Sequence, residues 1–255
     1  MIYRLGANHT PPPPAVRPLA ERAALTRMAV TPCDWFAAIP ADGDALGNDK
    51  WSNCWEVAQA WVIALRRASA AGDTTRPSRA VILAQFAALT GWDPTTGLPD
   101  DGTQTAPAMT AWCRSGVRVN SQTLDVPHWL TVDPANDAHV MLAAQSCGPL
   151  MATWKLPMAM QDLSRWAQAP GTGTDWNTVW GGHETCLGAT DGSAVVRVRT
   201  WGQDLDVHPD IRRRFMIGLD VPLDLSPGGW LQTTGLTPAG LDVVALRADM
   251  AALAA

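Results

Sequence analysis

The chain has 255 residues, 47% of them hydrophobic, and carries 19 Lys and Arg against 24 Asp and Glu for a formal charge of −5. That balance lacks the basic footprint of a nucleic-acid partner, and no apolar run reaches the length of a membrane span. Five cysteines, an odd number with no Cys-x-x-Cys pair, supply neither a disulfide framework nor a zinc site. No metal and no cofactor is expected. The length suits a full core in one domain or two lobes. The first residues hold no apolar signal-peptide core, so the protein is expected to stay in a cytoplasm or be packaged from one.

In chain order, residues 1–29 form an arm with Pro11 to Pro14 and Pro18. It reads as extended, polyproline-like chain, expected to lie over the surface or to reach a neighbour. Leu19 to Met28 is a short helix candidate within it, and Cys33-Asp34-Trp35-Phe36 follows. Leu46 to Asn53 is a polar, turn-forming loop running into a helix over 54–70. There Val57, Trp61 and Leu65 recur at one-turn spacing, Ser52 or Asn53 is the N-cap, and Gly72-Asp73 is the stop. Pro77 to Leu89 gives a second helix with Ser78 as cap, and Pro107 to Ser115 a third. From Val117 the pattern turns to strands: Val117–Asn120, Leu150–Leu156, a run opening at His183, Val195–Gly202 and Ile211–Leu219. A helix over Asp137–Gln145, stopped at Gly148-Pro149, and a polar loop over 161–178 interrupt them. Asp191-Gly192 is a hairpin turn. A turn-rich linker leads to an Ala-rich helix over Pro238–Ala254.

Two stretches carry chemistry. Cys54 falls in the first turn of its helix, where free N–H groups and the positive end of the dipole favour a thiolate. A thiolate nucleophile needs a base that also protonates the leaving group, and imidazole titrates in the useful range. His183 follows two glycines that admit close backbone approach and opens an apolar strand. Cys33, Cys113, Cys147 and Cys186 read as packing residues, and His128, His139 and His208 as surface histidines.

Gly47-Asn48-Asp49…Cys54, Gly148-Pro149, Trp180-Gly181-Gly182-His183 and Thr200-Trp201-Gly202 stand in this order. Together they resemble the papain-like cysteine peptidases, and more closely a papain-like group met in phages, prophages and bacterial genomes. The resemblance implies an α+β, two-lobed fold over 30–220. A helical lobe (about 46–116) carries the Cys helix, and an antiparallel β-sheet or barrel lobe (about 117–220) carries the His. Residues 221–255 are a linker and helix outside it. It also implies Cys54 as nucleophile, His183 as base and Asn48 as oxyanion donor beside the Cys54 amide. Trp201 would shield the histidine, with Trp55, Thr200 and Gly182 in support.

Three positions depart from the family's pattern. Arg199, a cation that cannot accept the imidazole N–H, stands where the family keeps an orienting Asn, with Asp191 or Asp204 as substitutes. Glu184 replaces a small apolar residue after the histidine and should point opposite to it. Ser52-Asn53 stand where the group has Gly-Asp. The arm is also too short for a papain-type inhibitory pro-segment. The implied function is a phage- or prophage-encoded peptidase or amidase acting on peptide or isopeptide bonds. The alternative is an inactive papain-fold structural protein of a phage particle, virion-associated and bound to neighbouring virion proteins through its arm and C-terminal helix. A homo-oligomer fits either.

Overall fold

The computed structural model describes residues 3–14, 16, 18, 19, 29–126, 128–225, 229, 230, 235, 236 and 242. The helices expected over Leu19–Met28 and Pro238–Ala254 lie outside the described residues, apart from isolated positions. Two short strands come first, β1 (Ala7–Asn8) and β2 (Cys33–Asp34), followed by a 3-10 turn at Trp35–Ala38 in which the Phe36 N–H donates to the Asp34 carboxylate. Helix α1 (Cys54–Ala71) ends on Gly72, which takes the left-handed conformation that lets its N–H close the last turn. Helix α2 (Arg79–Thr90) is capped by the Ser78 side chain. Strand β3 (Thr103–Gln104) runs directly into α3 (Thr105–Ser115).

A hairpin of β4 (Val117–Val119) and β5 (Gln122–Leu124) follows. It pairs with no strand of the main sheet. Its Val117, Val119 and Leu124 pack with Trp55, Trp61 and Trp112 in the helical core instead. The alternation of small strands was legible; their partner was not.

The main sheet uses β6 (His128–Thr131), β7 (Leu150–Pro157), β8 (Val179–Thr190), β9 (Val196–Thr200), β10 (Gln203–Val207) and β11 (Met216–Leu223), in the order β10-β9-β8-β7-β11-β6. All its pairings are antiparallel, and β2 adds to the end of β8. Helix α4 (Asp137–Cys147) precedes β7. Two 3-10 turns and the short α5 (Thr174–Asn177) occupy the stretch expected as polar loop. Helix α6 (Pro209–Phe215) takes the first half of the strand expected over Ile211–Leu219. Pro209 at the first helical position and the His208 ring accepting from the Asp210 N–H start that helix, and they override the apolar run.

The sheet separates two cores. Leu150, Ala152 and Trp154 face α4 and α6, whereas Met151, Cys186 and Ala189 face α1. Alternation along β7 and β8 thus serves both lobes at once. Arg66, fully buried on α1, joins them: its guanidinium donates to the Cys147 and Pro149 carbonyls at 2.7 and 3.1 Å. Arg66→Ala leaves both carbonyls without a donor in the interior. It is expected to lower stability by about 3 kcal/mol, read as a fall in the urea midpoint.

Candidate active site

The loop before α1 is built to hold its last residues still. Asn53 makes no side-chain cap; its amide donates to the Leu46 carbonyl at 3.2 Å. The Ser52 N–H donates to Asp100, and the Asn48 amide donates to the Trp51 carbonyl at 3.1 Å. Cys54 then starts the helix, as expected, and is buried. Trp55 packs edge-on against Trp112 in the helical core, so its role is packing.

His183 lies on β8, wholly buried. Its ring lies flat on Trp201, with centroids 4.2 Å apart and planes 10° from parallel. Trp201 and Gly202 form the two-residue turn between β9 and β10, both with positive φ (47° and 75°). That is the turn geometry matched to the twist of a hairpin, and it explains the Trp-Gly pair. The His183 Nε2 stands 2.7 Å from the Thr200 Oγ1, and Nδ1 has no hydrogen-bond partner among the described residues.

Arg199 does not approach the imidazole. It is turned into the helical lobe, where it pairs with both Asp204 oxygens, donates to the Ile39 carbonyl, and lies over Phe36 and Trp61. Asp204 is thereby committed, and Asp191 holds its own turn through Ser193. The hydroxyl of Thr200 takes the position at the imidazole.

The cleft between Cys54 and the His183 strand holds the N-terminal arm. The proline stretch Pro11 to Pro14 lies over the surface, largely exposed, whereas Gly6 and Ala7 are buried in the cleft. The Gly6 N–H donates to the Gly182 carbonyl at 3.0 Å, and the Thr103 N–H donates to the Gly6 carbonyl at 2.6 Å. β1 continues alongside β3 in parallel. The Asn48 amide reaches the Arg4 carbonyl at 3.4 Å, and Tyr3 stacks on Trp201 at 4.5 Å. Gly182 allows this approach: a Cβ there would stand 1.9 Å from the Ala7 carbonyl oxygen.

Burial sets the protonation of the pair. It pushes the Cys54 thiol far above its ordinary value. The Glu184 and Gly6 amides near the sulfur offset this only in part, and the Glu184 and Glu56 carboxyls add to it. Burial pulls His183 down to about 3. With the arm seated, thiol and imidazole are both neutral, and no hydrogen bond joins them.

Glu184 points away from His183, as expected of a strand, but into the space facing α1. There it forms a buried carboxyl group of three with Glu56 and Asp220 that sequence reading missed. The Thr153 hydroxyl donates to Glu184 at 2.8 Å and the Thr103 hydroxyl to Glu56 at 2.7 Å. Burial raises Glu56 to about 7 and Asp220 to about 8, and raises Glu184 well above its usual range, with Asp220 adding to the rise. Glu56 was the legible member, since a carboxylate in an otherwise apolar helix must find a buried partner. Among the described residues no group of His, Cys, Asp and Glu is placed to hold a metal.

No family model matches the chain, and no curated protein matches it. Solved structures do. Xylellain, a cysteine protease from Xylella fastidiosa, is similar over 87% of this chain and 96% of its own, with TM-score 0.63 at 13% identity. Procathepsin B S9 from Trypanosoma congolense is similar over 86% of this chain and 85% of its own, with TM-score 0.57 at 12% identity. Digestive procathepsin L 3 of the Tenebrio molitor larval midgut is similar over 82% and 76%, with TM-score 0.53 at 10% identity. The fold is papain-like, a helical lobe packed on an antiparallel sheet lobe.

The carboxyl trio fixes a pH dependence. Groups with raised folded pKa hold protons that the unfolded chain releases above pH 4 to 5, so stability falls as pH rises through the folded values near 7 and 8. Neutral His183 acts oppositely: its contribution is present above pH 6.5 and is lost as pH falls toward 3. Three carboxyls outweigh one imidazole. Each net proton held is worth ~1.4 kcal/mol per pH unit. The melting temperature is expected to rise from pH 8 to pH 5, and Glu184→Gln to flatten that slope.

Proposed function

We propose that the chain is a cysteine peptidase or amidase, latent while its own arm fills the cleft. The observation that carries this is the seat of Gly6: an extended peptide is held by main-chain hydrogen bonds from both walls, with its amide beside the Cys54 sulfur. In the open cleft the buried face of the pair is wetted. The thiol proton passes to His183 Nδ1, and the sulfur attacks a substrate carbonyl carbon. The oxyanion is met by the Cys54 N–H and the Asn48 amide, which already donates to a peptide carbonyl of the arm. As the C–N bond breaks, His183 returns the proton to the leaving amine. Water, deprotonated by His183, then cleaves the thioester to a carboxylate and the free thiol.

Thr200 is a positioning residue in this scheme. With Nε2–H donating to its hydroxyl, the lone pair of Nδ1 faces the cleft. Trp201 keeps the ring in plane. Two of the three structural relatives are named as pro-forms, in keeping with an occupied cleft.

A second reading is favoured by the placement of Arg199, which leaves the histidine without the family's orienting amide. The chain would then be an inactive papain-fold structural protein, phage-encoded and virion-associated, that uses the cleft to hold its arm.

Iodoacetamide labelling decides between them. In the arm variant Leu5→Asp, Cys54 is expected to label faster than a free thiol below pH 8, and His183→Ala to abolish the gain. Thr200→Val is expected to slow labelling about 10-fold, as loss of one charge-assisted hydrogen bond would, while Thr200→Ser restores it. Labelling at the free-thiol rate with or without His183 supports the structural reading, as does a large assembly by light scattering.

A further inference from the structure

Gly6 touches both lobes through its own main chain, and it has no room for a side chain. A Cβ built on it would stand 2.0 Å from the Ser52 carbonyl oxygen and 2.5 Å from the Ser52 Cβ, where non-bonded carbon atoms keep about 3.5 Å or more. Its φ lies outside the left-handed region, so the glycine is required by space and not by backbone conformation.

The walls close on it from all sides. A Cβ on Gly102 would stand 1.8 Å from the Gly6 carbonyl oxygen. Ser52 is not free to retreat. Its N–H is tied to Asp100 at 2.8 Å, and its neighbours Trp51 and Asn53 are tied to Asn48 and Leu46. Around Gly6 the confinement falls off with distance: Ala7 is buried and Leu5 half-buried, whereas Arg4, Asn8 and His9 are exposed. The tightest steric restriction therefore acts on the residue of the occupant whose amide lies beside the Cys54 sulfur.

We infer that the cleft is a glycine reader: it takes an extended peptide only where glycine stands at the position now held by Gly6, and the arm is the resident copy of such a peptide. The ligand class is a glycine-containing peptide with a small residue after the glycine and larger residues tolerated two places away on either side. This rests on the cleft being the peptide-binding site proposed above, and it narrows the substrates of that site. At Gly6 itself the two walls contribute main-chain bonds, through the Thr103 N–H and the Gly182 carbonyl, so the selection there is by exclusion of Cβ.

Two measurements on the full-length chain test it, and neither needs Cys54 to be reactive. In the first, hydrogen exchange is followed at the Thr103 amide, which is closed by the Gly6 carbonyl. Gly6→Ala is expected to lose protection at least 10-fold, while Arg4→Ala and Asn8→Ala, changed at exposed positions, keep it. In the second, the Gly6→Val chain, with its arm expelled, is titrated with a fluorescein-labelled peptide of residues 3–9 and with its Gly6→Ala counterpart, read by anisotropy. The glycine peptide is expected to bind at least 10-fold more tightly. Protection unchanged in Gly6→Ala overturns the inference, and so does binding of both peptides alike or of neither. A chain that passes both tests and cleaves nothing keeps the glycine slot and loses only the peptidase proposal.

Discussion

Every residue from Cys54 to Arg66 is buried, and much of the molecule follows from that constraint. A helix enclosed on all sides cannot send its polar residues to water. Arg66 therefore finds two carbonyls at the Gly148-Pro149 turn, and Glu56 finds the Thr103 hydroxyl. The same enclosure fixes the helix N-terminus to within one position, so the thiol at its start is held against β8 without a side-chain cap. Arg199 completes the clamp from the sheet side by lying over Trp61 of the helix and Phe36 of the turn before it.

The fold was largely legible because its signals are local. One-turn apolar spacing marked α1, a serine cap marked α2, and a hairpin turn joined β8 to β9. What failed was long-range. The Val117–Leu124 hairpin alternates as any strand does, and nothing in its own residues says that it packs on helices. Ile211 to Leu219 is apolar throughout, and only Pro209 and His208 ahead of it announce that a helix comes first. At the site, the order of the motifs placed Cys54, His183, Asn48 and Trp201. The occupant of the cleft was invisible, because Tyr3 to His9 carries no periodicity and the partners of Gly6, Thr103 and Gly182, lie 97 and 176 residues away. The carboxyl trio was hidden for the same reason: Glu56, Glu184 and Asp220 come from three separate elements.

Arg199 shows how a buried cation is accommodated beside an imidazole without facing it. At the site of an orienting amide a cation would repel a protonated imidazole. The chain turns it by a strand's half-period into the opposite core, where Asp204 neutralises it and two aromatic faces solvate it. The imidazole is left with a hydroxyl that can accept its N–H and adds no charge.

The arm belongs to the same polypeptide as the cleft that holds it. Its local concentration at that cleft is set by tether geometry and is on the order of millimolar for short flexible connections. Dilution cannot release it. Any other occupant of the cleft would have to outcompete a ligand present at that effective concentration. Severing the tether would remove that advantage in one step: the arm would then be held only by its own hydrogen bonds, main-chain and side-chain, and by the stack of Tyr3 on Trp201.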